Sequence, residues 1–315
     1  MSAPIIGTST RSTRTTPSTI GSGALAPGEH TVSIGGLEQR YHVAGRGPVC
    51  LVHPGGPGVG WEYLRMPAVE PYVTAVYLEP IGTGGSSRLI DPRQYTLHRY
   101  VESVHGLVEQ LGVEDVFFLG HSHGGFVGQC YALAHQERLA GLILYDTSPT
   151  TAPDFWTDVG QNLRRFAERH AGRPEEVEMP GILSAFEDAG RATGDEELTA
   201  ILRRLFPAYF ADYWGREREW APLRGAVRMY AGPLQGEEPA PFDVRGELAS
   251  ITVPTLVIVG RHDPICAPRW AHLLHDRIPG SRLLILEDSG HFGHIEEAEV
   301  FARAVADLVH AHAAD

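Results

Sequence analysis

Gly120-His-Ser-His-Gly-Gly125 is the stretch of sequence that decides the fold. The apolar run Val116-Phe-Phe-Leu119 precedes it and predicts a strand, and residues 126–138 follow with helical spacing. A G-x-S-x-G pattern between a strand and a helix predicts a sharp turn that raises the Ser122 hydroxyl above the edge of a sheet. Such a turn strains the serine into a positive φ, and glycine is expected at positions 120 and 124 because side chains there would clash. The stretch therefore predicts a nucleophilic serine.

The composition narrows the classes of function. The chain has 315 residues, a net charge of −13 and 26 basic residues, all of which are arginine. The lack of lysine excludes Schiff-base chemistry, attachment of pyridoxal phosphate and a P-loop, so no cofactor is predicted. A nucleic-acid partner would need a basic face, which the negative charge argues against. A hydrophobic content of 43% supports a sizeable core, in one large domain or two small ones.

Cysteine usage and the N-terminus indicate a cytoplasmic protein. Cys50, Cys130 and Cys266 are scattered and odd in number, as expected of free thiols in a reducing compartment. No run of apolar residues is long enough to span a bilayer, so no membrane partner is predicted. Residues 1–27 are rich in Ser, Thr, Pro and Gly, and they lack the apolar segment of a secretory signal. We predict a flexible leader there.

Strand-like and helix-like runs alternate along residues 28–147 and 248–315, which predicts an α/β core with a mostly parallel, open sheet and helices on both faces. An antiparallel hairpin at the start suits the edge of the sheet. The predicted strands are 30–35, 37–44, 48–53, 73–78, 116–119, 139–145, 255–260 and 282–286. The predicted helices of the core are 95–111, 126–138, 268–277 and 296–312.

Residues 148–247 interrupt this alternation with helical, aromatic-rich sequence. Helices are predicted near 154–170, 195–206 and 216–230. The segment begins and ends at strand tips that flank the predicted serine turn. An insertion in that place would lie over the active edge of the sheet, so we predict a helical lid.

A serine hydroxyl needs a base and a third group that orients the base. In this kind of fold the order along the chain is serine, acid, histidine. Asp263 follows the strand 255–260 and His291 follows the strand 282–286, so both lie where the carboxyl ends of the strands converge. We assign Ser122 as nucleophile, His291 as general base and acid, and Asp263 as the residue that orients it. His294 as base and Asp146 as acid are the alternatives.

The oxyanion of a tetrahedral intermediate needs two backbone N–H donors. One is expected from His123, the residue after the nucleophile, and the other from the glycine loop 53–58. The two prolines of that loop cannot donate, which leaves Gly55, Gly56 or Gly58. We choose Gly56.

The histidines that flank the serine also permit a metal site. We predict that His121 packs beneath the turn and that His123 begins the helix beside the pocket. A site that joins them to His53 or His262 is the alternative, but nothing else has metal-ligand spacing, so no metal is predicted.

Together these motifs resemble the proline iminopeptidase branch of the α/β-hydrolase superfamily, from about residue 30 to the end of the chain. The resemblance implies the α/β-hydrolase fold and the Ser-His-Asp triad. The matching motifs are Gly55-Gly-Pro-Gly58, Gly82-Thr-Gly-Gly-Ser86, Gly120-His-Ser-His-Gly-Gly125, Gly260-Arg-His-Asp263 and Ser289-Gly-His-Phe292 with Glu296 or Glu297 following.

The chain departs from that family where substrate is bound. Pro54 stands where the family has histidine, and Glu79-Pro-Ile81 stands where it has Asp-Gln-Arg. Lid carboxylates of the family hold the free amino terminus of the substrate, whereas Gln235 occupies the aligned position here. Glu217, Glu219, Glu237 or Glu238 would have to substitute. The substrate-binding residues that we predict are Gly55, Trp214, Glu217, Gln235 and Glu237.

We therefore predict a serine hydrolase that cleaves an ester or amide bond of a small molecule or short peptide through an acyl-enzyme. Release of N-terminal proline is the first alternative. A biosynthetic tailoring hydrolase, lactonase or acyltransferase is the second. A ligand-binding protein on a hydrolase scaffold is the non-enzymatic alternative, because fold alone does not imply catalysis.

Overall fold

A computed structural model describes residues 23–313 of the chain, so most of the predicted leader lies outside the described residues. The strands of these residues form one sheet in the order β1-β2-β4-β3-β5-β6-β7-β8. β2 pairs antiparallel with β1 and β4, and every other pairing is parallel. The mostly parallel sheet with an antiparallel edge is confirmed. The strands are β1 Gly28–Ile34, β2 Leu37–Gly45, β3 Val49–His53, β4 Thr74–Glu79, β5 Val116–His121, β6 Leu139–Tyr145, β7 Thr255–Gly260 and β8 Arg282–Leu286.

Helices cover both faces of the sheet and fill the insertion. They are α1 Leu97–Leu111, α2 His123–His135, α3 Pro153–Arg169, α4 Met179–Ala189, α5 Asp195–Leu205, α6 Glu217–Ala226, α7 Ala231–Leu234, α8 Pro268–Arg277, α9 Gly293–Glu296 and α10 Ala298–His312. The sequence did not predict α4. The predicted last helix, 296–312, corresponds to α10, and the short helix α9 before it was not predicted. The two are separated at Glu297, which has φ −127° and whose carboxylate accepts hydrogen bonds from the backbone N–H of Asp288 and the hydroxyl of Ser289.

The central strands are buried on both faces because they are continuous runs of branched and aromatic residues. Every residue of β5 and β7 is buried. Side chains alternate between the faces, so that Phe118 joins one apolar cluster and Phe117 the other. This packing fixes the carboxyl ends of β5, β7 and β8 at one edge of the sheet, which is where the predicted serine, aspartate and histidine follow.

Residues 148–247, which we call the inserted segment, connect β6 to β7 and contain α3 to α7. The segment has an apolar cluster of its own, which includes Phe166 and Ile182 and also takes in Trp270 of α8. The indole of Trp270 donates to Asp158 at 3.1 Å. The helical insertion thus shares its packing with the core.

Two remaining predictions concern the thiols and the membrane. Cys50, Cys130 and Cys266 are unpaired, and the first and last are buried. In the part of the chain that the structure describes, no helix is both long enough and apolar enough to cross a bilayer.

Candidate active site

The predicted turn around Ser122 is present. Ser122 lies between β5 and α2 with φ 54° and ψ −118°, a strained conformation for a residue that has a side chain. A Cβ atom on Gly120 would collide with the carbonyl of Gly124, and one on Gly124 would collide with the carbonyl of His53. Glycine is therefore required at both positions, as the sequence predicted.

Asp263 and His291 are joined behind this turn. The Nδ1 atom of His291 lies 2.8 Å from Oδ2 of Asp263, and both side chains are almost fully buried. The other carboxylate oxygen accepts the backbone N–H groups of Ile265 at 2.8 Å and Cys266 at 3.1 Å. Because a carboxylate only accepts, Nδ1 carries the proton of this bond, and Nε2 is left as the basic nitrogen.

The surroundings of the Ser122 hydroxyl differ from a completed triad. Within residues 23–313, the Ser122 hydroxyl makes no hydrogen bond to the ring of His291, although both residues line one cavity. Catalytic hydrogen bonds are often long or misaligned before substrate binds, so this geometry does not exclude the pair.

The candidate donors of the oxyanion hole differ in whether the backbone N–H already has a hydrogen-bond partner and in whether the residue lines the cavity. The N–H of Gly55 donates to the hydroxyl of Tyr63 at 2.7 Å and is therefore occupied. Among the described residues Gly58 does not line the cavity, whereas Gly56 does. His123 is the first residue of α2, where an amide has no partner within the helix. The arrangement favours Gly56 and His123.

Buried polar side chains from five segments of the chain form the base of the cavity and the layer behind it, and we call this group the polar floor. They are Tyr63, His121, Asp146, Asp263, His291 and His294. Tyr63, His121 and His291 line the cavity itself. His121 lies beneath the turn as predicted, with its ring centroid 4.5 Å from that of His291. The sequence did not predict Tyr63, which follows no recognisable motif.

The alternative base, His294, has both ring nitrogens occupied. Nε2 lies 2.9 Å from the carbonyl oxygen of Tyr63, and Nδ1 lies 2.9 Å from the hydroxyl of Tyr145. Burial, opposed by the hydrogen bond to the Tyr63 carbonyl and reinforced by nearby His291, lowers the pKa of His294 to about 4. His294 therefore contributes to the polar floor, but its nitrogens are not available as a base.

The alternative acid, Asp146, follows β6 and is fully buried at φ 44°. Its Oδ1 accepts the N–H of Gly260 at 2.8 Å, and its Oδ2 has no partner among the described residues. Burial, and then the charge of Asp263, raises the pKa of Asp146 well above its usual value. Asp263 is the carboxyl that contacts His291, with Oδ2 2.8 Å from Nδ1, so the geometry favours Asp263 as the acid.

His121, Asp146 and His291 have potential ligand atoms within 4.8 Å of one another. Both ring nitrogens of His121 already have partners, the hydroxyl of Tyr63 and the carbonyl of His291. Only two of the three groups then have an atom to offer, fewer than the three protein ligands of a catalytic zinc site. The cluster fits a hydrogen-bonded network better than a metal site.

Above Ser122 the cavity has a volume of about 690 Å³ and is mostly apolar. Much of its wall comes from the inserted segment, and we call these side chains the apolar roof. They are Phe155, Trp156, Phe186, Ile201, Leu205 and Met229. A pocket of this size and character suits a small, largely apolar ligand group.

The structure places one of the predicted substrate-binding residues at the wall of the cavity. Gly55 lines the cavity, but among the described residues Trp214, Glu217, Gln235 and Glu237 do not. The indole of Trp214 instead donates to Glu178 at 2.9 Å, within the inserted segment. Residues 238–242, which follow α7, line the cavity, whereas Glu237 is exposed and does not.

The acidic residue that does line the cavity is Glu238. Its carboxylate accepts the N–H of Leu97 at the first turn of α1 and is otherwise exposed. The sequence offered Glu238 only as one of four substitutes, and no local signal separates it from its neighbour.

Comparison with known proteins agrees with this fold. The profile of the family described as alpha/beta hydrolase fold matches residues 48–298. A proline iminopeptidase of Saccharolobus solfataricus is 27% identical over 293 residues, which cover 85% of this chain and 87% of the relative. The resemblance to the proline iminopeptidase branch is thereby confirmed.

Relatives with other activities are equally similar. A 2-hydroxymuconate semialdehyde hydrolase of Pseudomonas sp. CF600 is also 27% identical, over 282 residues that cover 87% of this chain and 91% of the relative. The solved structure of an alpha/beta fold family hydrolase from Bacillus anthracis matches with a TM-score of 0.70 and 20% identity, over 89% of this chain and 98% of that one. These matches support a hydrolase, but they do not select a substrate.

Proposed function

Since this chain belongs to the alpha/beta hydrolase fold family, we propose that it hydrolyses an ester or amide bond of a small molecule or short peptide through an acyl-enzyme on Ser122. One observation carries the proposal. Ser122 has the strained φ of 54° at the base of a cavity that His291 also lines, and His291 is hydrogen-bonded to Asp263 behind it. Strain of this kind concentrates at functional sites, and here it exposes a hydroxyl to the cavity.

In the proposed reaction, the Oγ atom of Ser122 attacks the carbonyl carbon and its proton passes to Nε2 of His291. Asp263, 2.8 Å from Nδ1, stabilises the imidazolium that forms. The amides of Gly56 and His123 stabilise the oxyanion. His291 then protonates the leaving group, which departs from the acyl-enzyme, and afterwards activates the water that hydrolyses the ester of Ser122.

The cavity favours an uncharged, apolar acyl group. A substrate ammonium inside an apolar wall would lose its hydration and would need carboxylate partners. Glu238 is the acidic residue at the wall, and its carboxylate already accepts the N–H of Leu97. The apolar roof supplies dispersion contacts along the rest of the cavity.

Release of N-terminal proline is the second candidate. It is favoured by the named activity of the Saccharolobus relative and by the presence of one carboxylate, Glu238, at the cavity wall. It is weakened by the position of Glu217 and Glu237, the carboxylates that the sequence offered for the amine, outside the wall in the described residues.

The two candidates are separated by comparing p-nitrophenyl esters of increasing acyl length with a proline arylamide and its N-acetylated form. We expect ester hydrolysis with a burst of p-nitrophenol, and a rate that rises with the apolar size of the acyl group. Ser122→Ala should lower kcat by about 10⁵–10⁶-fold with the fold retained. Arylamide cleavage that is faster than ester cleavage and collapses on acetylation would instead establish the aminopeptidase. Full activity of Ser122→Ala would overturn the mechanism.

A further inference from the structure

A directed chain of hydrogen bonds crosses the polar floor. The N–H of Gly55 lies 2.7 Å from the hydroxyl of Tyr63, which lies 2.6 Å from Nδ1 of His121. The Nε2 atom of His121 then lies 3.0 Å from the carbonyl oxygen of His291. Tyr63, His121 and His291 are each at most 4% exposed, so water does not compete for these bonds.

The two ends of the chain fix the direction of every bond in it. An amide can only donate and a carbonyl can only accept. The hydroxyl of Tyr63 therefore accepts from Gly55 and donates to Nδ1 of His121, and the Nε2–H of His121 donates to the carbonyl of His291. Only the neutral Nε2–H tautomer of His121 satisfies all three bonds. A protonated ring would leave the hydroxyl proton of Tyr63 without an acceptor.

Burial and the neighbouring histidines both favour the neutral form of the His121 ring. Burial lowers the pKa of His121 well below its usual value, and His291 and then His294 lower it further. The backbone of Tyr63 is held as well, because its carbonyl oxygen lies 2.9 Å from Nε2 of His294. Tyr63 is thus fixed at its hydroxyl by one buried histidine and at its carbonyl by another.

Both ends of the chain belong to the proposed catalytic apparatus. Gly55 precedes Gly56, whose amide is the proposed oxyanion donor, and His291 is the proposed general base. We propose that Tyr63 and His121 are positioning residues, which hold the Gly55–Gly56 loop at a fixed position relative to His291. The oxyanion donor and the base can then act on the same carbonyl group. This inference rests on the proposed function, because it assigns a role within that mechanism.

Buried polar groups are hydrogen-bonded in most proteins, so the test must separate positioning from stability alone. Tyr63→Phe removes the hydroxyl and leaves the amide of Gly55 free. We expect kcat to fall by about 10- to 100-fold with KM little changed, since a small misplacement of catalytic groups has effects of this size. Binding of a boronic acid, which mimics the tetrahedral intermediate, should weaken in parallel, whereas binding of the carboxylic acid product should not.

Tyr77→Phe is the matched control. The hydroxyl of Tyr77 also accepts a backbone amide, that of Met66 at 2.9 Å, and donates to Glu70, away from the cavity. Tyr77→Phe should lower the free energy of unfolding by about as much as Tyr63→Phe does, but it should leave kcat and the affinity for the boronic acid unchanged. His121→Gln, which retains one donor and one acceptor, should recover part of the activity that His121→Ala loses. Equal kinetics of Tyr63→Phe and Tyr77→Phe would overturn the proposal.

A measurement independent of turnover distinguishes this inference from the proposed function. In the ¹⁵N NMR spectrum of histidine-labelled protein, His121, assigned by its loss in His121→Gln, should be the neutral Nε2–H tautomer. Its Nδ1 resonance should shift in Tyr63→Phe but not in Tyr77→Phe. The opposite tautomer, or a resonance unchanged in Tyr63→Phe, would overturn the hydrogen-bond chain even if Ser122 proves to be the nucleophile. If the spectrum is as expected but Ser122→Ala is fully active, the proposed mechanism is wrong, and the chain of hydrogen bonds then has no catalytic role.

Discussion

The polar floor and the apolar roof of the cavity are built on different physical principles. In the floor, groups such as Tyr63 and His121 have one arrangement in which every donor meets an acceptor. In the roof, side chains such as Trp156 and Phe186 contact one another edge to face, with centroids 5.7 Å apart, and many such arrangements have similar energies. Replacing a single polar atom should therefore disturb the polar floor, whereas the apolar roof should respond only to changes in side-chain volume and shape.

This difference suggests how chemistry and specificity are divided. A buried polar group that loses its partner is destabilised by about 1–3 kcal/mol, and the same loss misaligns the catalytic atoms. Apolar walls tolerate substitution when the volume is preserved. Changes in the floor should consequently act on kcat, and changes in the roof on KM and on the preferred acyl group.

The largest effect should come from the acid of the floor. Asp263→Asn should lower kcat by about 10⁴-fold, because an amide in this place donates to Nδ1 of His291 and fixes the wrong tautomer. Asp146→Asn should leave kcat close to that of the wild type, since Asp146 is not the partner of Nδ1. Steady-state kinetics with one p-nitrophenyl ester measure both. The reverse order of the two variants would make Asp146 the acid and contradict our assignment.

In the roof, Trp156→Ala should raise KM for a long-chain or aromatic ester by about tenfold and leave the acetate ester nearly unaffected. Trp156 lines the cavity and is half-exposed, so its removal should not prevent folding. Trp214→Ala is the control, because Trp214 lies in the same inserted segment but outside the cavity wall. If both variants changed acyl preference equally, the roof would not be the specificity surface.

Asp146 of the polar floor should also affect how the stability of the protein depends on pH. The folded chain keeps a proton on Asp146 at pH values where the unfolded chain has released it, because burial and then Asp263 raise its pKa from 3.8. The contribution of Asp146 to the free energy of unfolding therefore falls as the pH rises from the pKa of the unfolded state towards the higher pKa of the folded state. Asp146→Asn lacks this loss, so its stability relative to the wild type should increase with pH in urea denaturation series.

Asp243→Asn provides a control of opposite sign. The hydrogen bonds from Arg245 lower the pKa of Asp243, so the stabilisation by this carboxylate is present at neutral pH and is lost as the pH falls. The loss in free energy of unfolding that Asp243→Asn causes relative to the wild type should therefore become smaller towards acid pH. An Asp146→Asn curve that paralleled this control would mean that Asp146 is ionised in the folded protein.

The smallest effects should come from carboxylates outside the wall. Glu217→Gln and Glu237→Gln should leave KM unchanged for a proline arylamide and for its acetylated form. Glu238→Gln should raise KM for the free amine by less than about fivefold, since exposed ion pairs contribute about 0.2–1 kcal/mol. A large increase in KM for the free amine alone, in any of the three variants, would favour the aminopeptidase.

The sheet, the serine turn and the candidate triad could be predicted because their signals are local. The glycines at 120 and 124 follow from backbone contacts within one turn, and Asp263 and His291 each follow a recognisable strand. The parallel order of the strands then brings the three residues to one edge.

The cavity could not be predicted in the same way. Nothing in the local sequence places Glu238 rather than Glu237 at the wall, and the occupation of the Gly55 amide depends on Tyr63, which belongs to no motif. Such facts arise from packing between segments that are distant in sequence. Helix α4 was missed for a different reason: Met179, Ile182 and Phe186 have helical spacing, but Pro180-Gly181 at its start is typical of a turn.

Labelling with a fluorophosphonate tests the central claim most directly, because the reagent reacts with a serine only when a nearby base activates it. Our account predicts one adduct per chain, located by mass spectrometry on the peptide that contains Ser122, absent in Ser122→Ala and much slower in Asp263→Asn. A folded protein that takes no label, or an adduct that persists in Ser122→Ala, would contradict the assignment of Ser122 as the nucleophile.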